Sequence, residues 1–174
     1  MKFVAAWTRI ASNMGDNNEL MQKFRFAAMK FMDVVDAAPQ IETNTFLANV
    51  GRSMAELYSI ALLLPPVEPD STGTDEPPFQ TEGWDTLRRS LQEKIGSLDA
   101  YWQVFDSTSK EEQVQGSLAG DISEIYFDLK RSLELEQTDT AQSDVLFDWR
   151  LDFRSHWGRH LLGALAAIHN HHFE

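Results

Sequence analysis

The side chains best suited to chemistry in this chain fall into two clusters with helical spacing. Near the C-terminus, His156 and His160 stand four residues apart, accompanied by Arg150 and by the aromatics Trp149, Phe153 and Trp157. Upstream, Asp121, Glu124 and Asp128 recur at intervals of three and four residues. Imidazoles and carboxylates exchange protons and also ligate divalent transition metals. On a helical wheel turning about 100° per residue, His160 and Arg150 lie about 40° to either side of Leu146, inside an apolar stripe, with His156 about 80° away at its edge. Measured from Leu118, the three carboxylates form a ladder along one flank of another stripe. Antiparallel packing of these two helices would bring the ladder opposite His156, His160 and Arg150.

Three readings of these residues compete. The preferred one is a buried polar network of Arg150, His156, His160, Asp121 and Asp128, because a buried polar group left unpaired costs about 1 to 3 kcal/mol. No cofactor belongs to it. The second is a divalent transition-metal site, with His156 and His160 on one helix face and Asp121, Glu124 or Asp128 completing the shell. The glutamate of a zincin-type His-Glu-x-x-His is missing, since position 157 is Trp. The third is a His–carboxylate general acid/base pair, for which the residue types suit proton transfer but no substrate pocket is visible.

Other candidates have blander explanations. His169, His171 and His172 read as a solvated C-terminus rather than a metal tract. The run Tyr101-Trp102-Gln103-Val104-Phe105-Asp106 is either a core anchor or an exposed binding edge. Met21, Met29, Met32 and Met54 read as core filling. Gly158 and Gly163 each cost a helix about 1 kcal/mol relative to Ala, which points to close helix approach. There is no phosphate-cradling Gly loop, no Ser nucleophile elbow and no nucleic-acid signature.

The elements that must position these residues are helices. Leu20, Phe24, Ala27, Ala28, Phe31, Met32 and Val35 recur at helical spacing after Asp16-Asn17-Asn18 and before Pro39. A second helix is expected over about 45–64, a third from Trp84 to a close at Gly96, and a fourth from Ser117 as N-cap through Leu133. The last and longest is expected over about 140–170. At about 30 residues it would extend about 45 Å, so one end either protrudes or packs on a second copy. Residues 2–13 suggest one more short helix. Alternating strand-like runs are essentially absent. The expected fold is all-α, an antiparallel bundle of about five helices in a single domain over 1–174. Five of the six prolines fall between Pro65 and Pro78, and five acids but no Lys or Arg lie between Glu68 and Glu82. Residues 65–83 therefore read as an internal, solvated acidic loop.

Composition bounds the function classes. With 174 residues, 43% hydrophobic and 24% charged, the chain is an ordinary globule. Its 27 acids against 15 Lys and Arg give a formal charge of −12, which repels nucleic acid and anionic membrane. The absence of Cys removes thiolate ligands and nucleophiles and agrees with a reducing compartment. No apolar run reaches the length of a membrane span or a signal peptide, so a cytoplasmic protein is expected.

Tyr101-Trp102-x-Val104-Phe105-Asp106, Gly116-Ser117-Leu118 with Asp121-Ile122-x-Glu124-Ile125-Tyr126-x-Asp128-Leu129, and His156-Trp157-Gly158-x-His160-Leu161 together resemble an uncharacterised bacterial family of all-helical proteins, known as a domain of unknown function. The resemblance covers the C-terminal half in order. It implies a small helical bacterial protein and carries over Asp121, Asp128, His156 and His160 as motif positions without roles. Gly120 stands where an acidic or polar residue is expected. The function expected from all of this is a non-enzymatic accessory or protein-binding factor, with a protein partner or self-association. The alternative is a metal-dependent enzyme using His156, His160 and a carboxylate.

Overall fold

The computed structural model describes residues 14–70, 83–104 and 112–173. The short helix expected at 2–13 and most of the acidic loop lie outside them. Helix α1 spans Met14–Asp36, and a short turn over Ala38–Gln40 containing Pro39 leads into α2, Thr43–Ala61. The Glu42 side chain caps α2 by accepting from the Thr45 amide at 3.1 Å. Helix α3, Trp84–Ile95, ends at Gly96, whose positive φ of 63° is a backbone conformation that glycine adopts at little cost. Helix α4, Leu118–Glu136, starts at Ser117, whose hydroxyl accepts from the Gly120 amide at 3.0 Å.

The fold is an all-α bundle, with one addition. Strands β1, Ala100–Gln103, and β2, Val114–Ser117, pair antiparallel between α3 and α4. The strand is written in a short alternation within the aromatic run: Tyr101 is buried while Trp102 is 65% exposed. Four residues are too few for that alternation to stand out against helical periodicity.

The expected long helix also changes character midway. Helix α5, Gln142–Asp152, passes into a wide π turn over Phe153–Trp157 and continues as α6, Gly158–Phe173. The Gly158 amide reaches back five residues to the Phe153 carbonyl. A Cβ at Gly158 would lie 2.3 Å from that carbonyl oxygen, so the residue that permits the turn must be glycine. The close approach expected at Gly158 is thus made by its own helix.

The core gathers one face of each helix. Phe24 of α1 stacks on Trp149 of α5 with ring centroids 4.5 Å apart, and the Trp149 indole donates to the Ser132 carbonyl of α4 at 3.0 Å. Phe31, Phe46, Met54, Leu57, Ile122, Ile125, Trp157 and Leu161 are buried around this pair. Met29, expected as core filling, is instead 51% exposed. Near the described start of the acidic loop, the Leu64 carbonyl accepts from Arg150 Nε at 3.1 Å. The Asp70 amide donates to Asp144 at 2.5 Å, so this end of the loop is fastened to α5.

An ordinary helix-interior Gly→Ala change stabilises by up to about 1 kcal/mol. Gly158→Ala is expected to do the opposite, lowering unfolding free energy by about 1 to 3 kcal/mol in denaturant titrations, because the new methyl meets backbone. A stabilised variant would contradict the π turn.

Candidate functional site

Helix α4 runs antiparallel to α5 and α6, as the successive pairs across the seam show: Ser132 with Trp149, Arg131 with Asp152, Asp128 with His156, Asp121 with His160. The π turn sets the phase of the two imidazoles, since it contains His156 and ends three residues before His160. His156 Nδ1 lies 2.5 Å from Asp128 Oδ2, and His160 Nδ1 lies 2.7 Å from Asp121 Oδ1. The rings meet edge to face with centroids 4.9 Å apart. An ionised carboxylate only accepts, so each Nδ1 carries the hydrogen. Each Nε2 is left without a protein partner among the described residues.

Burial differs between the two sides of the seam. The side chains of Asp128 and Asp121 are 3% and 8% exposed, whereas those of His156 and His160 are 47% and 31% exposed. The carboxylates are therefore the deep members, and the imidazoles reach down to them from the surface. Glu124, between the two aspartates on α4, is part-buried, and burial holds its carboxyl above the usual range despite the two imidazoles facing it. Arg150 does not join the carboxylates and spends its Nε on the Leu64 carbonyl. Arg131 pairs with Asp152 and faces Asp128 and Asp148, extending the charged seam toward α5.

The second oxygen of Asp121 is taken by a residue that spacing on helices does not reveal. Tyr101 of β1 donates its hydroxyl to Asp121 Oδ2 at 2.6 Å. Burial and the adjacent carboxylate push the phenol well above its ordinary pKa, so it stays a donor. Two glycines make room for its ring. Gly116 is its cross-strand partner, where a Cβ would come within 2.5 Å of the ring, and a Cβ at Gly163 of α6 would come within 2.5 Å of the hydroxyl. The hairpin is fastened to α4 by Asp99, itself 6% exposed. Its carboxylate accepts from the Ala119 amide at 2.7 Å and from Ser117 Oγ at 3.0 Å, and its carbonyl accepts from the Leu118 amide at 2.8 Å. An acid two residues before the aromatic run was the available signal for this anchor.

These groups open onto a cleft of about 710 Å³ between the hairpin and α6. Tyr101, Asp121, His156 and His160 line it, with Arg159 beside them and Trp102 and Leu162 among its exposed apolar members. His171, from the C-terminal histidine tract, also lines it and lies 3.1 Å from the Leu98 carbonyl. Among the described residues no three His, Asp or Glu are placed to hold a metal ion together. The arrangement does have the parts for proton transfer: two imidazoles oriented by carboxylates, each with one nitrogen uncommitted, at a cleft wide enough for a small molecule. The hydrogen bond that His160 donates to Asp121 raises the His160 pKa against an opposing effect of burial, and Glu124 and Asp128 act in the same raising direction.

The comparisons with known proteins agree with the architecture. The family model described as domain of unknown function DUF5063 matches residues 15–174. The crystal structure of protein BF1032 from Bacteroides fragilis, a structural-genomics target, superposes with a TM-score of 0.75 at 20% identity, covering 89% of this chain and 93% of that one. At that identity the likeness is one of fold. No curated protein matches the chain at a significant level. Among the described residues, no helix is long and apolar enough to cross a membrane.

Asp121→Asn removes the main cause that raises the His160 pKa and leaves the burial that lowers it, so in NMR titrations that pKa is expected to fall. Because the folded pKa lies above the unfolded one, His160 adds stability that is complete below about pH 6.5 and is lost as pH rises through the folded value. The drop in denaturation midpoint on raising pH through that window should shrink in Asp121→Asn. Separately, Asp99→Ala should cost about 1 to 3 kcal/mol, since it strands the Ala119 amide.

Proposed function

The chain belongs to the DUF5063 family, and for it we propose a ligand-binding cleft in which His160 and His156 give protons to, and take protons from, a small polar molecule. The observation that carries this reading is the double engagement of Asp121, by the Tyr101 hydroxyl at 2.6 Å and His160 Nδ1 at 2.7 Å, at the wall of the cleft. A carboxylate held this way orients the imidazole, fixes its hydrogen on Nδ1 and stabilises the imidazolium, leaving Nε2 as the working nitrogen. Asp128 does the same for His156. Tyr101, Asp121 and Asp128 are positioning residues under this reading, and His156 and His160 are the groups that meet the ligand.

The metal-dependent alternative keeps two ligands, the Nε2 atoms of His156 and His160, but finds no third His, Asp or Glu converging with them among the described residues. A second reading, a protein-binding or accessory role in which a partner or a second copy covers the hairpin, is favoured by Trp102 and Leu162, which are 65% and 49% exposed on the cleft's rim.

Diethyl pyrocarbonate, which carbethoxylates neutral imidazole nitrogen, tests the proton-transfer reading directly. His160 in the folded protein should be modified at Nε2, at a rate that rises as pH climbs through its raised pKa, and the midpoint of that rise should move to lower pH in Asp121→Asn. Protection of His160 in the folded protein, with modification only after unfolding, would contradict it.

A further inference from the structure

The cleft differs in charge from the rest of this acidic chain. Among the described residues its ionisable lining, Tyr101 apart, is Asp121, His156, Arg159, His160 and His171, one acid against four groups that carry or accept a proton. That one acid is fully occupied, with Oδ2 bonded to Tyr101 and Oδ1 to His160. The other carboxylates that face the imidazoles, Glu124 and Asp128 of α4, do not line the cleft. Among the described residues, a ligand entering it therefore meets groups that carry or can take up a proton and no uncommitted carboxylate. Beside them, the indole of Trp102 is 65% exposed and Leu162 is 49% exposed, a flat apolar surface next to a donor-rich one.

We infer that the ligand of this cleft is a small organic oxyanion, a carboxylate or a phosphate ester, whose charged end sits at His156 and His160 Nε2 beside Arg159 and whose apolar body lies against Trp102. A protonated Nε2–H donates to an oxyanion as a charge-assisted hydrogen bond, and two imidazoles 4.9 Å apart can each serve a different oxygen of one group. An anion bound there favours the protonated rings, so its binding is coupled to proton uptake. The inference rests on the proton-transfer reading, because both use Nε2 as the working atom.

The test follows the imidazole and indole signals by NMR during titration with phenyl phosphate, benzoate and, as a neutral control of the same shape, benzyl alcohol. Saturable shifts at His156, His160 and Trp102 with either anion and not with the alcohol are expected. A response to phenyl phosphate alone assigns the phosphate ester, and a response to benzoate alone the carboxylate. His156→Gln and His160→Gln, at partly exposed positions that spare the core, should each weaken binding by about tenfold. The inference is overturned if neither anion gives a saturable shift, if the alcohol binds as tightly, or if both Gln variants bind unchanged. Should His160 still react with diethyl pyrocarbonate in that case, only the oxyanion is lost; should it not react, the proton-transfer reading fails as well.

Discussion

A carboxylate buried as deeply as Asp121, 6% exposed, is tolerable only if both its oxygens are given donors. Much of the C-terminal half is organised around supplying them. One donor comes from across the bundle, where the π turn delivers His160 onto the seam with α4. The other comes from the hairpin, which exists in an otherwise helical chain and places Tyr101 over the start of α4. Asp99 holds the hairpin to the N-terminus of α4, and glycines at 116 and 163 leave the space that the tyrosine ring fills. Removing the tyrosine hydroxyl or the imidazole leaves a buried charge short of a partner.

The same seam explains why the imidazoles are poised rather than merely packed. Their carboxylate partners sit on the core side and their rings on the solvent side, so orientation is imposed from beneath while Nε2 remains accessible. An exposed histidine alone would sample both tautomers and many rotamers. Here the buried acids choose one hydrogen position for each ring. Arg131, paired with Asp152 and facing Asp128, continues the charged seam toward the fastened end of the acidic loop.

Much of this was legible in the residues. Three- and four-residue spacing located the helices, Ser117 and Gly96 marked a start and a stop, and the wheel brought the Asp121–Asp128 ladder opposite His156 and His160. What it missed has specific causes. A wheel at constant pitch has no place for the π turn, which depends on Gly158 tolerating a carbonyl at a distance no Cβ could. It also turned Arg150 toward the ladder, whereas the described end of the loop offered it the Leu64 carbonyl. Tyr101 was visible only as an aromatic, because its role depends on a four-residue strand paired across a loop, a non-local contact that local periodicity does not encode. The net charge, too, conceals a division: the acidic loop and the buried aspartates account for much of the excess, while the described cleft lining sets one carboxylate among four groups that carry or can take up a proton.

The central claim is that buried aspartates fix the hydrogens of two imidazoles so that both Nε2 atoms face the cleft. Nitrogen-15 NMR of the histidine rings above their pKa measures this most directly, because protonated and unprotonated ring nitrogens resonate far apart. The account predicts the Nδ1–H tautomer, the minor one for free imidazole side chains, at both His156 and His160. Nε2–H at either ring, or fast averaging between tautomers, would contradict it.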